Sequence, residues 1–387
     1  MALTYKDLEF SKTEKGLKVI FLGRFWFDVS ADEMKRLGKV KIRKHSIEAD
    51  EQAWLRIMNS GFTRLRSLVT GRPALYIHRN SGIPLIGTNY FGIIYRNTNL
   101  IEVRPITGCN LKCIYCSVDE PGKKKIDYVV EKDYLVDEFK RVAGQTEDIE
   151  AHINAQGEPL LYTPIVELVS GLRAAGAVRV SLDTNGTLLT KKLIHDLAKA
   201  GLTQLNLSIN AVSKELADKI SGCKYPTRHV LEMAKEAKRA GIRIVFAPVL
   251  MGGVNDCEMG GLIEIAKSMG AQMGIQNFMS HANGRKPVKE APIEEFLDFL
   301  MVYEKRHGIK LVLGPEDFSI RAAERLAKPF RKDQKVNATA VCPGRAPGEM
   351  LAVAKDRVIQ AHGCTPGRVK VRITRDKHNI FYGICIR

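Results

Sequence analysis

"ITGCNLKCIYCSVDEPG", Ile106 to Gly122, places three of the chain's eight cysteines within eight residues. Cys109, Cys113 and Cys116 follow the spacing C-x3-C-x2-C, and the run leading into them, "NLIEVRPIT", is a strand by its β-branched residues. Three thiolates so close suit zinc, although structural zinc takes four closed ligands. They also suit an iron–sulfur cube, held through three irons with the fourth left open. No histidine or fourth cysteine lies nearby in sequence.

Downstream of this loop, short β-rich runs alternate with helical patterns. "DIEAHINAQ", "VRVSLDT", "LTQLNLSIN", "IRIVFAPVL" and "AQMGIQNFM" are each followed by an amphipathic segment, and glycine closes nearly every one of those segments. Six strand–helix units in succession predict a parallel sheet with helices outside, two units short of a full barrel. The fold class is therefore α/β: a partial (β/α)6 barrel over residues 96–325, with chemistry at the C-terminal strand ends. Residues 1–95 are a small α+β appendage. There "LKVIFLGRFWFDV" and "PALYIHRNSGIPLIG" read as strands and "DEQAWLRIMNSGFTRLRSLV" as a helix. Residues 336–387 carry short strands, frequent glycine and no helical period, which predicts a small β-barrel. The polar, basic stretch "AKPFRKDQKVNAT" before it is a linker.

Composition narrows the function classes. At 387 residues, 45% apolar and 27% charged, the chain is that of a globular protein. No apolar run reaches bilayer length and the N-terminus lacks a secretory pattern, so a cytoplasmic protein with no membrane partner is expected. Reduced thiols are expected too, since the cysteine spacing is not that of a disulfide scaffold. The formal charge is +17, and from Arg321 to Arg387 there are 15 Lys and Arg against 5 Asp and Glu. A charge concentrated in this way points to an acidic partner, nucleic acid first.

C-x3-C-x-aromatic-C after the first strand of such a barrel resembles the radical S-adenosylmethionine (SAM) superfamily over roughly 99–314. The resemblance implies a [4Fe–4S] cluster on Cys109, Cys113 and Cys116 whose open iron binds SAM. A one-electron donor then splits the sulfonium, and a 5′-deoxyadenosyl radical abstracts hydrogen from substrate. It also implies cofactor contacts at the strand ends. Gly157, Glu158 and Pro159 of "NAQGEP" match the GEP-type segment facing the SAM ammonium, with Gln156 in place of the usual glycine. Asp183 and Asn185 of "SLDTNGTL" lie by the ribose and methionine, and Ser208 and Asn210 of "NLSINA" by the ribose or carboxylate. Asn255 and Asp256 end a PVxxGxND-like loop. Gln276, Asn277 and Tyr115 lie by the adenine. Cys223 and Cys257 follow barrel strands and are candidates for a catalytic thiol. Cys342 and Cys364 match no cluster spacing, and Cys385 is expected to be a buried thiol.

The tail resembles a TRAM domain, a small barrel found on RNA-modifying enzymes. Arg368, Lys370 and Arg372 alternate on one strand face, with Arg375 and Lys377 in the adjoining turn. With Phe381 and Tyr382 nearby they suit phosphate contact and base stacking; protection of an edge strand by charge is the plainer alternative. The expected function is modification of RNA, tRNA foremost, by methylation or related group transfer at carbon. The chain departs from the methylthiotransferases, because residues 1–108 hold no cysteine for an auxiliary cluster. The rival readings are a maturase acting on a protein or small-molecule cofactor, and a non-catalytic RNA-binding metalloprotein.

Overall fold

The computed structural model describes residues 2–38, 40–118, 125–144 and 146–386. The last residues of the quoted stretch, 119–122, and the terminal Arg387 lie outside them. Its centre is an open seven-stranded sheet. In chain order the strands are β1 Gly92–Tyr95, β2 Leu100–Arg104, β3 Glu150–Ile153, β4 Arg179–Thr184, β5 Gln204–Leu207, β6 Arg243–Phe246 and β7 Gln272–Met273. Spatial order equals chain order, β2 to β7 are parallel, and β1 is an antiparallel edge on β2. Gly92–Tyr95, which the sequence groups with the appendage, is thus part of the central sheet.

Amphipathic helices connect the strands: α1 Lys132–Ala143, α2 Ile165–Ala174, α3 Lys191–Ala200, α4 Thr227–Arg239, α5 Asp256–Met269 and α6 Ile293–His307. Local chemistry sets their ends. Thr190 caps α3 by accepting from the Leu193 amide, and Gly201 ends it in the left-handed region at φ 101°. Beyond the main strands, two-residue extensions pair in parallel, Thr107–Gly108 with Gln156–Gly157 and Val249–Leu250 with Gln276–Asn277. They carry the sheet on to the face where the candidate site lies.

The N-terminal part is a four-stranded antiparallel sheet (Leu8–Thr13, Gly16–Phe21, Phe25–Ser30, Arg66–Ser67) packed on the helix Glu51–Phe62. The helix ends at Phe62, short of the residues that the sequence pattern assigns to it, because Arg66–Ser67 leave to pair with Phe25–Trp26. Ala74–Ile77 is a strand as expected, but it pairs in parallel with Asp127–Val130, just after the cysteine loop. Residues 82–87 of the predicted second run form no strand.

Residues 335–386 form a closed five-stranded barrel of β8 Lys335–Pro343, β9 Glu349–Ala354, β10 Arg357–His362, β11 Gly367–Arg375 and β12 Phe381–Ile386. Phe330 of the expected linker is fully buried and fills its core against Phe381 at 5.1 Å. The barrel docks tightly. The Val358 amide donates to the Ile86 carbonyl at 2.8 Å, and Tyr128 Oη to the Pro343 carbonyl at 2.8 Å. Cys364 and Cys385 are joined as a disulfide, which corrects the expectation of reduced thiols throughout. The cause is register: β10 and β12 run parallel with His362 opposite Ile384, so the residues just beyond meet. Among the described residues no helix is long and apolar enough to cross a membrane.

Candidate active site

The cysteine loop takes its shape from its neighbours. The Lys112 and Ile114 amides donate to the carbonyls of Ser221 and Ile220 at 2.9 Å, at the end of the helix Lys214–Ser221. On the other side the Arg285 amide donates to the Cys116 carbonyl at 2.8 Å. Two glycines make these approaches possible. A Cβ on Gly222 would lie 2.4 Å from the Lys112 carbonyl oxygen, and one on Gly284 would lie 2.9 Å from Ser117 backbone.

Cys109, Cys113 and Cys116 open on one cavity of about 660 Å³ at the C-terminal strand ends. Tyr115, Gly157, Glu158, Pro159, Asp183, Asn185, Ser208 and Gln276 line it too, so the structure brings most of the sequence candidates together. Burial pushes the Cys109 thiol well up; burial, then the neighbouring Cys116, push Cys113 up to about 12. Thiols that oppose one another's ionisation become thiolates when a metal supplies positive charge. Three cysteines on one loop, opening together on the cavity, fit a cluster held through three irons with the fourth left to a ligand.

Glu158 accepts three hydrogen bonds from protein. Its Oε1 accepts from the Leu160 amide at 2.9 Å and Thr184 Oγ1 at 2.7 Å, and its Oε2 accepts from the Asn185 amide at 2.8 Å. Burial pushes its carboxyl up to about 7, with those donors opposing the rise. Glu158 thus braces two strand-end loops while lining the cavity. Asn185 passes the brace on, its Nδ2 donating to Asn110 Oδ1 at 3.0 Å inside the cysteine loop. Gly157 lies so close to Gly108 that a Cβ would sit 1.9 Å from the Gly108 carbonyl oxygen.

Other candidates serve the scaffold. Asn210 Nδ2 donates to Tyr115 Oη at 2.9 Å, and its Oδ1 accepts from the Val249 amide at 2.8 Å. It lines a small second cavity beside Tyr115 and not the main one. Asn255 is fully buried and holds its own loop through Met251, Val249 and Asn210 backbone. Cys223 lies beside the cavity, not in its lining, and Cys257 is exposed on the first turn of α5. Asp183 accepts from Asn206 Nδ2 at 2.8 Å and pairs with His152 Nε2 at 3.2 Å. Burial opposes the His152 cation, but Asp183, together with Glu102 and Glu150, outweighs it and lifts the imidazole to about 9.

Sequence reasoning missed Arg345, Arg72 and Thr70, which line the same cavity from the C-terminal barrel and the N-terminal part. It also missed His152. An i, i+2 relation to Asn154 at a strand end was its only local signal.

On the barrel, Arg368, Lys370 and Arg372 share the outward face of β11. Lys335, Asn337 and Thr339 of β8 lie opposite them in register, and Arg372 Nη1 reaches Asp333 Oδ1 at 3.3 Å. Arg375 and Lys377 are exposed, and the Arg375 guanidinium lies 5.6 Å from the centre of the Tyr382 ring. Phe381 is fully buried in the barrel core, so it is not available to stack on a base.

A family model, the radical SAM superfamily, matches residues 103–266. An uncharacterized protein of Methanocaldococcus jannaschii is 38% identical over 384 residues, spanning 88% of both chains. A probable GTP 3′,8-cyclase of Saccharolobus islandicus is 33% identical over 236 residues, or 57% of this chain and 73% of that one. Among solved structures, SuiB of Streptococcus suis bound to S-adenosylmethionine has 15% identity and a TM-score of 0.43, covering 80% of this chain and 71% of that one. The cysteine loop, the strand-end cavity around it, the family model and the S. islandicus relative give one conclusion: the chain belongs to the radical SAM superfamily, whose members use a [4Fe–4S] cluster and S-adenosylmethionine.

Proposed function

We propose that this radical SAM enzyme modifies an RNA, a tRNA nucleoside foremost, by methylation or related group transfer at carbon. The six parallel strands are read as a partial (β/α)6 barrel, and the C-terminal barrel as a TRAM-like RNA-binding unit. Cys109, Cys113 and Cys116 hold the cluster. Bound there, the cluster and SAM supply one-electron, hydrogen-abstracting chemistry, and an external donor supplies the electron. Glu158, Thr184 and Asn185 fix the walls of the SAM site. Ser208, Gln276 and the ring of Tyr115 offer its polar and flat surfaces, and burial excludes water.

The observation that carries the RNA reading is the outward face of the C-terminal barrel. Lys335, Arg368, Lys370 and Arg372 sit there in register with no acidic residue interleaved among their strand partners. A row of cations on one sheet face matches a phosphate backbone. The test is mass spectrometry of nucleosides in RNA from cells with and without the protein. A modified nucleoside missing only from the deletion strain supports the reading; identical nucleoside profiles overturn it.

A second reading has its own support. The S. islandicus relative is named for chemistry on GTP, and the cavity ends in the arginines Arg72 and Arg345. A nucleotide or small cofactor would then be the substrate, and turnover on GTP against bulk tRNA separates the two.

A further inference from the structure

The cavity has a cationic end that the proposed cluster and SAM residues leave unused. Arg345, in the loop between β8 and β9, is 5% exposed and lines the cavity. Its Nη1 donates to the Gln156 carbonyl at 3.3 Å, and its Nη2 stands 3.8 Å from Asp127 Oδ1. Arg72 Nη1 stands 3.9 Å from the same oxygen, and Arg72 has a further partner besides. The Arg345–Asp127 distance is longer than a hydrogen bond. Asp127 is fully buried and already accepts from Thr70 Oγ1 at 2.6 Å and Thr107 Oγ1 at 3.4 Å. A guanidinium has five N–H donors in a planar fork, so Arg345 brings more donors to the cavity than these contacts use. The acids that line the cavity are committed elsewhere, Glu158 to Thr184 and Asn185, and Asp183 to His152 and Asn206.

We infer that Arg345, with Arg72 beside it, forms an oxyanion subsite that takes a phosphate of the substrate. The inference rests on the RNA reading and gives it an address inside the cavity. The origin of Arg345 assigns the oxyanion to substrate and not to SAM. Arg345 enters from the C-terminal barrel, at the far end of the strand whose face carries Lys335. From Thr339, which lies opposite Arg368, to Arg345 is six residues, at most about 20 Å of chain. One strand thus joins the basic face to the cavity, and a polyanion lying on that face can reach this arginine with a phosphate a few nucleotides along. A fork binds phosphate through two parallel N–H bonds, which an ammonium cannot reproduce.

The test uses the cluster-loaded full chain, with inorganic phosphate titrated by its ³¹P resonance and SAM by equilibrium dialysis. Arg345→Met should weaken phosphate binding at least tenfold and Arg345→Lys several-fold. Asp127→Asn, which removes the carboxylate competing for both guanidiniums, should tighten it several-fold. SAM affinity should stay within twofold throughout. Unchanged phosphate binding in Arg345→Lys and Asp127→Asn overturns the inference, even if Arg345→Met fails to fold. So does a parallel loss of SAM affinity, which would give the guanidinium to the SAM carboxylate. If phosphate binding responds as expected but tRNA does not compete with it, the RNA reading falls and the subsite stands.

Discussion

The Asn185 backbone N–H donates to Glu158 Oε2 at 2.8 Å, so the loops after β3 and β4 move as one wall of the cavity. Replacing the carboxylate sets an amide N–H₂ against backbone donors.

Glu158→Gln should cost about 1–3 kcal/mol of stability and weaken SAM binding about tenfold. Its pH signature separates it from a simple packing defect. The folded-state carboxyl titrates near 7, above its ordinary 4.5, because burial disfavours the charge. Between those values the folded state holds a proton that the unfolded chain has lost, so stability falls as pH rises from 4.5 to 7. Thermal unfolding across that range should show the fall in the parent chain and a flatter profile in the variant.

His152 and Asp183 govern a higher window. Burial opposes the cation, but Asp183 foremost, with Glu102 and Glu150, lifts the imidazole from 6.5 to about 9. The stabilisation is complete below 6.5 and is lost as pH rises through 9. Asp183→Asn should remove this slope and cost on the order of 2 kcal/mol at pH 6, with little difference from the parent at pH 10. Denaturant titrations at the two pH values check it.

Gly157→Ala should destabilise the chain by about 1–3 kcal/mol, because its Cβ would overlap the Gly108 carbonyl at 1.9 Å beside Cys109. Gly252 has nothing within 4 Å of a Cβ and an ordinary φ, so Gly252→Ala should stay within about 0.5 kcal/mol of the parent. Urea midpoints and iron content should move together in the first and not in the second.

Cys109→Ala, Cys113→Ala and Cys116→Ala should each lose most of the iron and sulfide taken up on anaerobic reconstitution. Cys257→Ala should keep it together with full deoxyadenosine production, since that thiol is exposed on α5 and away from the cavity lining. Metal analysis and circular dichroism on the same samples distinguish lost ligation from lost fold.

For the barrel face, tRNA affinity measured against salt should follow a straight log–log line. Removing Arg368, Lys370 or Arg372 singly should lower its slope by about 1 each, with a near-uniform effect across RNA sequences. An unchanged slope in the triple variant would count against this face.

What could be read from residues alone follows from the range of the forces involved. The cysteine spacing, the helix-closing glycines and the strand runs are local signals, and the sheet keeps their order from β2 to β7. The partner of Asn210 was not legible, because its place at a strand end is the same whichever way its amide turns; here it turns to Tyr115. The Cys364–Cys385 bond and the reach of Arg345 to Gln156 depend on the closure and docking of the C-terminal barrel, which no periodicity encodes. Phe330 looked like linker because one aromatic among Lys and Arg gives no pattern; only barrel closure buries it.

The loop of three cysteines is fastened at both ends by protein, through Ser221 and Ile220 on one side and Arg285 on the other. All three fastenings run from backbone to backbone, so they do not depend on which side chains stand at Lys112, Ile114 and Arg285. Substitutions there can retune the charge beside the cysteines while leaving the loop's anchors in place.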